Sequence, residues 1–274
     1  MLGGKPDAYF VLRMDKALAD PVYGGPRTPF DPPPKDPDPL VDEFVRSVTS
    51  VEAFGIVDTI DKDRSSILMV IRGRPSLDTV KRLDKEQKLS WRSPERLPSG
   101  ALYYDLSDSK TNGALVILPS GTWVAVAGPI TGRVRFHFFS TAKDPPSSDY
   151  EPDALLAIWV GPGMTKLTSK EGRDDLGLIG GGIILRSSRS GDVEMSATFV
   201  DEKHAERAAA TIIAIAALVP TLKHELANQC PAWEKVDVDL KRDGKTVTGR
   251  LSNLPPLVRA YRLGACRYSD AKLR

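Results

Sequence analysis

The middle of the chain reads twice. Residues 53–80, AFGIVDTIDKDRSSILMVIRGRPSLDTV, give a strand pattern, a polar turn, a second strand and the start of a charged helix. Residues 180–209, GGGIILRSSRSGDVEMSATFVDEKHAERAA, give the same order again. An apolar strand precedes each block, Ala8–Met14 and Ala154–Val160. A late hairpin follows each, opening at Tyr104-Asp105-Leu106 in one half and at Val238-Asp239-Leu240 in the other. Strands in antiparallel pairs have to bury a face, and a following helix is the usual cover. The expected fold is therefore α+β: two related β-α-β-β-α-β-β repeats, mainly antiparallel, with helices packed on one face. The expected domains are 1–140, a polar linker at 141–153 with three prolines, and 154–274.

The local signals fill in this outline. Eight prolines between Pro21 and Pro39 forbid regular helix or central strand, so 21–39 reads as a surface excursion. It is either a docking segment or a wrap around the first repeat. Leu40–Val48 carries helical periodicity, and Val51–Ile60 and Ser66–Arg72 read as strands around the turn Asp61–Arg64. Ser76 sits at an N-cap position before Leu77 and Val80. Asn112-Gly113, Ser120-Gly121 and Thr131-Gly132 punctuate 101–139 as turns of a four-stranded meander. In its expected last strand, Arg133, Arg135 and His137 alternate with Val134, Phe136 and Phe138. The second half offers strands at Leu178–Arg186 and Val193–Val200, an Asp201 cap, and a long helix over 202–219. A weaker helix at Met164–Asp175, a hairpin around Asp243-Gly244 and a closing helix at Pro255–Arg262 complete it.

Composition narrows the function classes. Lysine plus arginine number 38 against 36 acids, a net charge of +2, which does not match a dedicated nucleic-acid binder. The longest apolar stretch, Ala208–Val219, is twelve residues, and a bilayer span needs about 20. MLGGKPDAYF lacks the charged-then-apolar pattern of a signal peptide. Any membrane attachment is expected through a segment outside this chain. Two cysteines, Cys230 and Cys266, follow predicted helices in the second half and form a disulfide candidate. A pair of this kind suits an exported protein, and the expected compartment is the periplasm or cell envelope, with the cytoplasm as alternative.

The chemical motifs are few. Gly180-Gly181-Gly182 opens a strand followed by another strand, whereas a phosphate cradle leads into a helix. Close backbone approach or a bulge is the better reading. Asp58, Asp61 and Asp63 lack the remaining oxygens of a calcium loop. His137, His204 and His224 have no zinc spacing, and no nucleophile elbow is present. No catalytic residue, metal ligand or cofactor is assigned. The binding candidates are Arg133, Arg135 and His137, a cationic stripe beside Lys143. The leading expectation is a non-catalytic binding or scaffold protein, bacterial and envelope-associated, or a subunit of an assembly with a protein partner. The rival is an enzyme or small-ligand binder with its site between the repeats, rimmed by Arg133, Arg135, His137 and Asp105.

Overall fold

The computed structural model describes residues 6–20, 43–44, 46–56, 65–83, 93–107, 112–147, 152–162, 177–186, 192–210 and 235–254. The expectations for 21–39, Asp61 and Asp63, Met164–Asp175, 211–219, His224, the Cys230–Cys266 pair and the closing helix lie outside these residues. The architecture is mixed α+β, with a large antiparallel sheet and few helices. The chain divides into two compact units. One comprises Met1–Asp15, Asp36–Pro152 and Ala157–Leu167, the other Lys16–Lys35, Asp153–Leu156 and Thr168–Arg274.

In the first unit β1 (Ala8–Arg13) runs directly into α1 (Met14–Ala19). The further strands are β2 (Val48–Ile56), β3 (Ser66–Gly73), β4 (Glu95–Arg96), β5 (Leu102–Asp105), β6 (Gly113–Ile117) and β7 (Trp123–Ala127). Residues 157–160 of β8 (Ala154–Val160) also belong here. The strand order is β8-β1-β2-β3-β7-β6-β5-β4. The turn signals act as expected: Ser76 Oγ accepts from Thr79 N–H at 3.3 Å to start α2 (Leu77–Leu83), and Gly121 takes φ +94° between β6 and β7.

Strand alternation gives this sheet two apolar faces. Leu68, Val126 and Ala114 lie opposite one another on one face; Ile71 and Trp123, and Leu115 and Tyr104, pair on the other. Leu77 and Val80 of α2 cover the second face over Tyr104, Leu115 and Trp123. Val134 and Phe138 cover the first, packed with Leu68, Leu97, Val116 and Val124. The expectation of helices on one face is thus corrected: an antiparallel sheet apolar on both sides needs a cover for each.

The second cover corrects a further expectation. Residues 133–139 are not the last strand of a meander but the body of α3 (Thr131–Ser140). Val134 and Phe138 are four apart, which places them together under either period. Phe136 decides between the two. Period two would bury it with them, whereas it is 78 % exposed, as a helical turn requires. Two local features favour the helix. Gly128 at φ +95° turns the chain out of β7, and Pro129 presets a helical φ before Thr131, whose Oγ1 donates to Gly128 O at 2.7 Å. Residues 141–147 then return along the same unit, with Arg72 Nη2 donating to the carbonyls of Pro145 and Pro146 at 3.1 Å and Ser120 Oγ bound to Asp144 at 2.6 Å.

The second unit contains β9 (Leu178–Arg186), β10 (Val193–Phe199), β11 (Asp237–Asp243) and β12 (Thr246–Ser252), in the antiparallel order β9-β10-β12-β11. Residues 202–210 are helical, and Ala205, Ala208 and Ala209 pack on Phe199, Ala197 and Val247. The glycine run has the structural role expected of it. A Cβ on Gly181 would lie 2.5 Å from Ser196 O, and the β9–β10 register shifts beside Gly180, between Thr198 and Phe199.

Two substitutions separate the helix from the strand at 133–139. Phe138→Ala should cost about 3–5 kcal/mol in urea unfolding, as a buried aromatic truncation does. Phe136→Ser should stay within about 0.5 kcal/mol of the parent. Comparable losses at both positions would restore the strand.

Candidate functional site

The three cationic candidates do not act as one stripe. On α3, Arg133 and His137 are one turn apart and share the outward face, both exposed. Arg135 points to the flank. Its guanidinium pairs with Glu95 at 2.7 Å and lies 5.4 Å over the Tyr103 ring. The His137 ring meets Phe138 edge-on, with centroids 4.9 Å apart. Beside Arg133 and His137 stand Phe136 and Phe139, the latter 47 % exposed. Asp105, the fourth rim candidate, ends β5 and accepts from Ser107 N–H at 2.9 Å, which closes a local turn. The pattern that sequence reasoning missed is the aromatic pair: under a period of two, Phe136 was assigned to the core.

Burial pushes the Tyr103 phenol above its ordinary pKa. Asp105 and Glu95 add to that rise and Arg135 opposes it. Tyr104, on the other face, is raised for the same first reason and by Asp78. Both are packed residues of the sheet.

An apolar groove of the first unit lies on the face that α2 covers farther along. Ala8, Gly55, Ile67 and Ala127 form one cross-strand row, and Phe10, Ala53, Met69 and Ala125 the next. Small residues alternate with large ones, so the surface is hollowed between Phe10 and Ile67. Ile158 and Val160 of β8 close the side, since Trp159 between them stacks on Tyr9 on the opposite face at 5.9 Å. The groove encloses about 400 Å³, its walls are almost wholly apolar, and Ile67 is 55 % exposed.

In the second unit a furrow of about 290 Å³ crosses the sheet face turned away from helix 202–210. Its floor is the row Gly182, Ser196 and Thr248, ending at Lys241; its wall is Ile184, Glu194, Arg250 and Asp239. The charges are tied to one another. Arg186 pairs with Glu194 at 3.1 Å, and Lys241 with Asp239 at 2.8 Å. Arg250 Nε donates to the buried Asp192 at 2.9 Å, and that bond raises the guanidinium's pKa. His204 is likewise engaged. Its ring nitrogen lies 2.8 Å from Asp201 Oδ1, which also accepts the His204 backbone N–H as helix cap. Those bonds lower the Asp201 pKa. Among the described residues no cluster of three or more His, Cys, Asp or Glu converges as metal ligands would.

No family model matches the chain, and no curated protein matches it. A solved structure, described as crystal form IV of TP0453, is similar at 10% identity with a TM-score of 0.48, covering 94% of each chain. No described helix is long and apolar enough to cross a membrane.

The raised tyrosines predict an alkaline limit. A phenol whose folded pKa is raised contributes stability that is fully present below its unfolded value, near 10, and is lost as pH rises through the folded value. Ultraviolet titration should find the Tyr103 and Tyr104 steps, identified by Tyr→Phe variants, above those of the unfolded chain. Titration of both at the unfolded value would contradict the burial.

Proposed function

We propose that this chain is a non-catalytic binding protein that holds a protein partner against the apolar groove of its first unit. One observation supports the reading above the others: the face that α2 covers over Tyr104 and Trp123 continues across Ala8, Ala53, Gly55 and the exposed Ile67 with no cover among the described residues. Exposed apolar surface of this contiguity marks interaction sites. The charged groups lining the second unit's furrow are paired, which suits a scaffold better than acid–base chemistry. The groove's lining has no charged side chain, and a partner's apolar side chains fit it better than a charged small molecule does. A benzophenone amino acid in place of Ile67 should capture a discrete protein in the cells that make the chain. The same probe at the exposed Lys143 should not. No adduct from position 67, or the same adducts from both positions, would remove the reading.

The reading includes two related repeats, 1–140 and 154–274, joined by 141–153. Its support is the strand order, with β2-β3-β7-β6 in the first and β9-β10-β12-β11 in the second. A helix follows the second strand of each set, α2 after β3 and residues 202–210 after β10. It also includes a bacterial envelope location, as a subunit of an assembly. That part rests on the cysteine pair Cys230 and Cys266. Protein taken from its native compartment should resist thiol alkylation until reduced. Alkylation of both cysteines without reductant would withdraw the envelope reading and leave the groove untouched.

A further inference from the structure

We propose that the outward face of α3 is a docking surface for an anionic lipid bilayer. The face is built from Arg133, Phe136 and His137, spaced three and four apart, with Phe139 on its flank. A single exposed phenylalanine is ordinary, but here two stand within one turn, 78 % and 47 % exposed, and Phe136 is three residues from Arg133. They are held outward. The other side of the helix is fixed by Val134 and by Phe138, which is fully buried, and Ser99 Oγ donates to the Phe138 carbonyl. Arg135 is bound down to Glu95 on the flank. Phe136 is therefore kept from folding back onto the sheet.

Charge identifies the partner. Between Asn112 and Ser147 the sequence has a single acid, Asp144, against Arg133, Arg135 and Lys143. Asp144 is bound by Ser120, and Glu95 by Arg135. What faces solvent on α3 is thus cationic and aromatic. Shape separates a bilayer from an acidic protein. A protein partner takes an aromatic anchor into a fitted pocket and meets it with polar groups of its own. A phenylalanine with no polar tip, protruding from a convex helix beside the Arg133 guanidinium, matches the boundary of head groups and acyl chains. Ten residues of helix, about 15 Å, lie flat at that boundary and do not span it. None of the cavities described above is lined by α3.

The experiment is vesicle flotation with the full chain. Vesicles of phosphatidylcholine with phosphatidylserine should carry the protein, those of phosphatidylcholine alone should not, and added salt should release it. Phe136→Ser should lower the partition constant about tenfold. The double variant Arg133→Glu, His137→Glu should abolish the phosphatidylserine dependence. Both variants should keep the parent's melting temperature, and Ile67→Asp should float as the parent does, which separates this surface from the groove. Equal binding to both vesicle types, or folded variants that float like the parent, would overturn the proposal. So would retention on polyglutamate with no flotation, which would assign the face to an acidic protein.

Discussion

An antiparallel sheet presents two faces, and each apolar face needs a cover. The rest of the structure follows from how that need is met. In the first unit α3 closes one face with Val134 and Phe138, and α2 closes part of the other with Leu77 and Val80. Both helices sit toward the β7-β6-β5 side, where Val116, Val124, Leu115 and Trp123 form the buried clusters. Toward β1 and β2 the α2-side face goes on without a described cover, and the small residues Ala8, Ala53 and Gly55 turn it into a groove. Core and candidate site lie on one face of the same sheet.

The second unit meets the same constraint differently. Its helix residues Ala205, Ala208 and Ala209 are small, so the helix lies close on Phe199 and Val247. The opposite face is polar and carries its charges in pairs. Arg250 on the buried Asp192 is the innermost of these, an arrangement that avoids leaving a carboxylate both buried and alone. The ends of the strand orders are blunted as well. β4 is two charged residues long, and β11 carries three acids and two bases along an almost fully exposed strand.

Much of this was legible in the sequence. The strands β1, β3, β6, β7, β10 and β12 lie where alternation and turn residues placed them, since a period of two and a glycine with positive φ are local properties. The caps at Ser76 and Asp201 were readable for the same reason: each hydroxyl or carboxylate bonds an amide three residues on. The close approach at Gly181 followed from three glycines opening a strand with no helix behind it. Local rules missed α1, the two-residue β4 and the start of β2 at Val48 rather than Val51. The first two are too short to carry a period, and the ends of elements are set by pairing partners. For the site, sequence singled out the right segment and the wrong geometry. Arg133, Arg135 and His137 were read as one face because a strand was assumed.

Residues 133–139 show where sequence stops. Val134 and Phe138 satisfy both periods, so their spacing says only that this segment buries one side. The sequence determined which residues are apolar, where the chain turns and how strand patterns recur. Tertiary structure decided that this segment becomes a cover rather than another strand. The face bearing Leu68, Val116 and Val124 was apolar and open, and a helix buries Phe138 there while releasing Phe136 to solvent. Burial is a property of what lies opposite a side chain, and what lies opposite is fixed only when the sheet has formed.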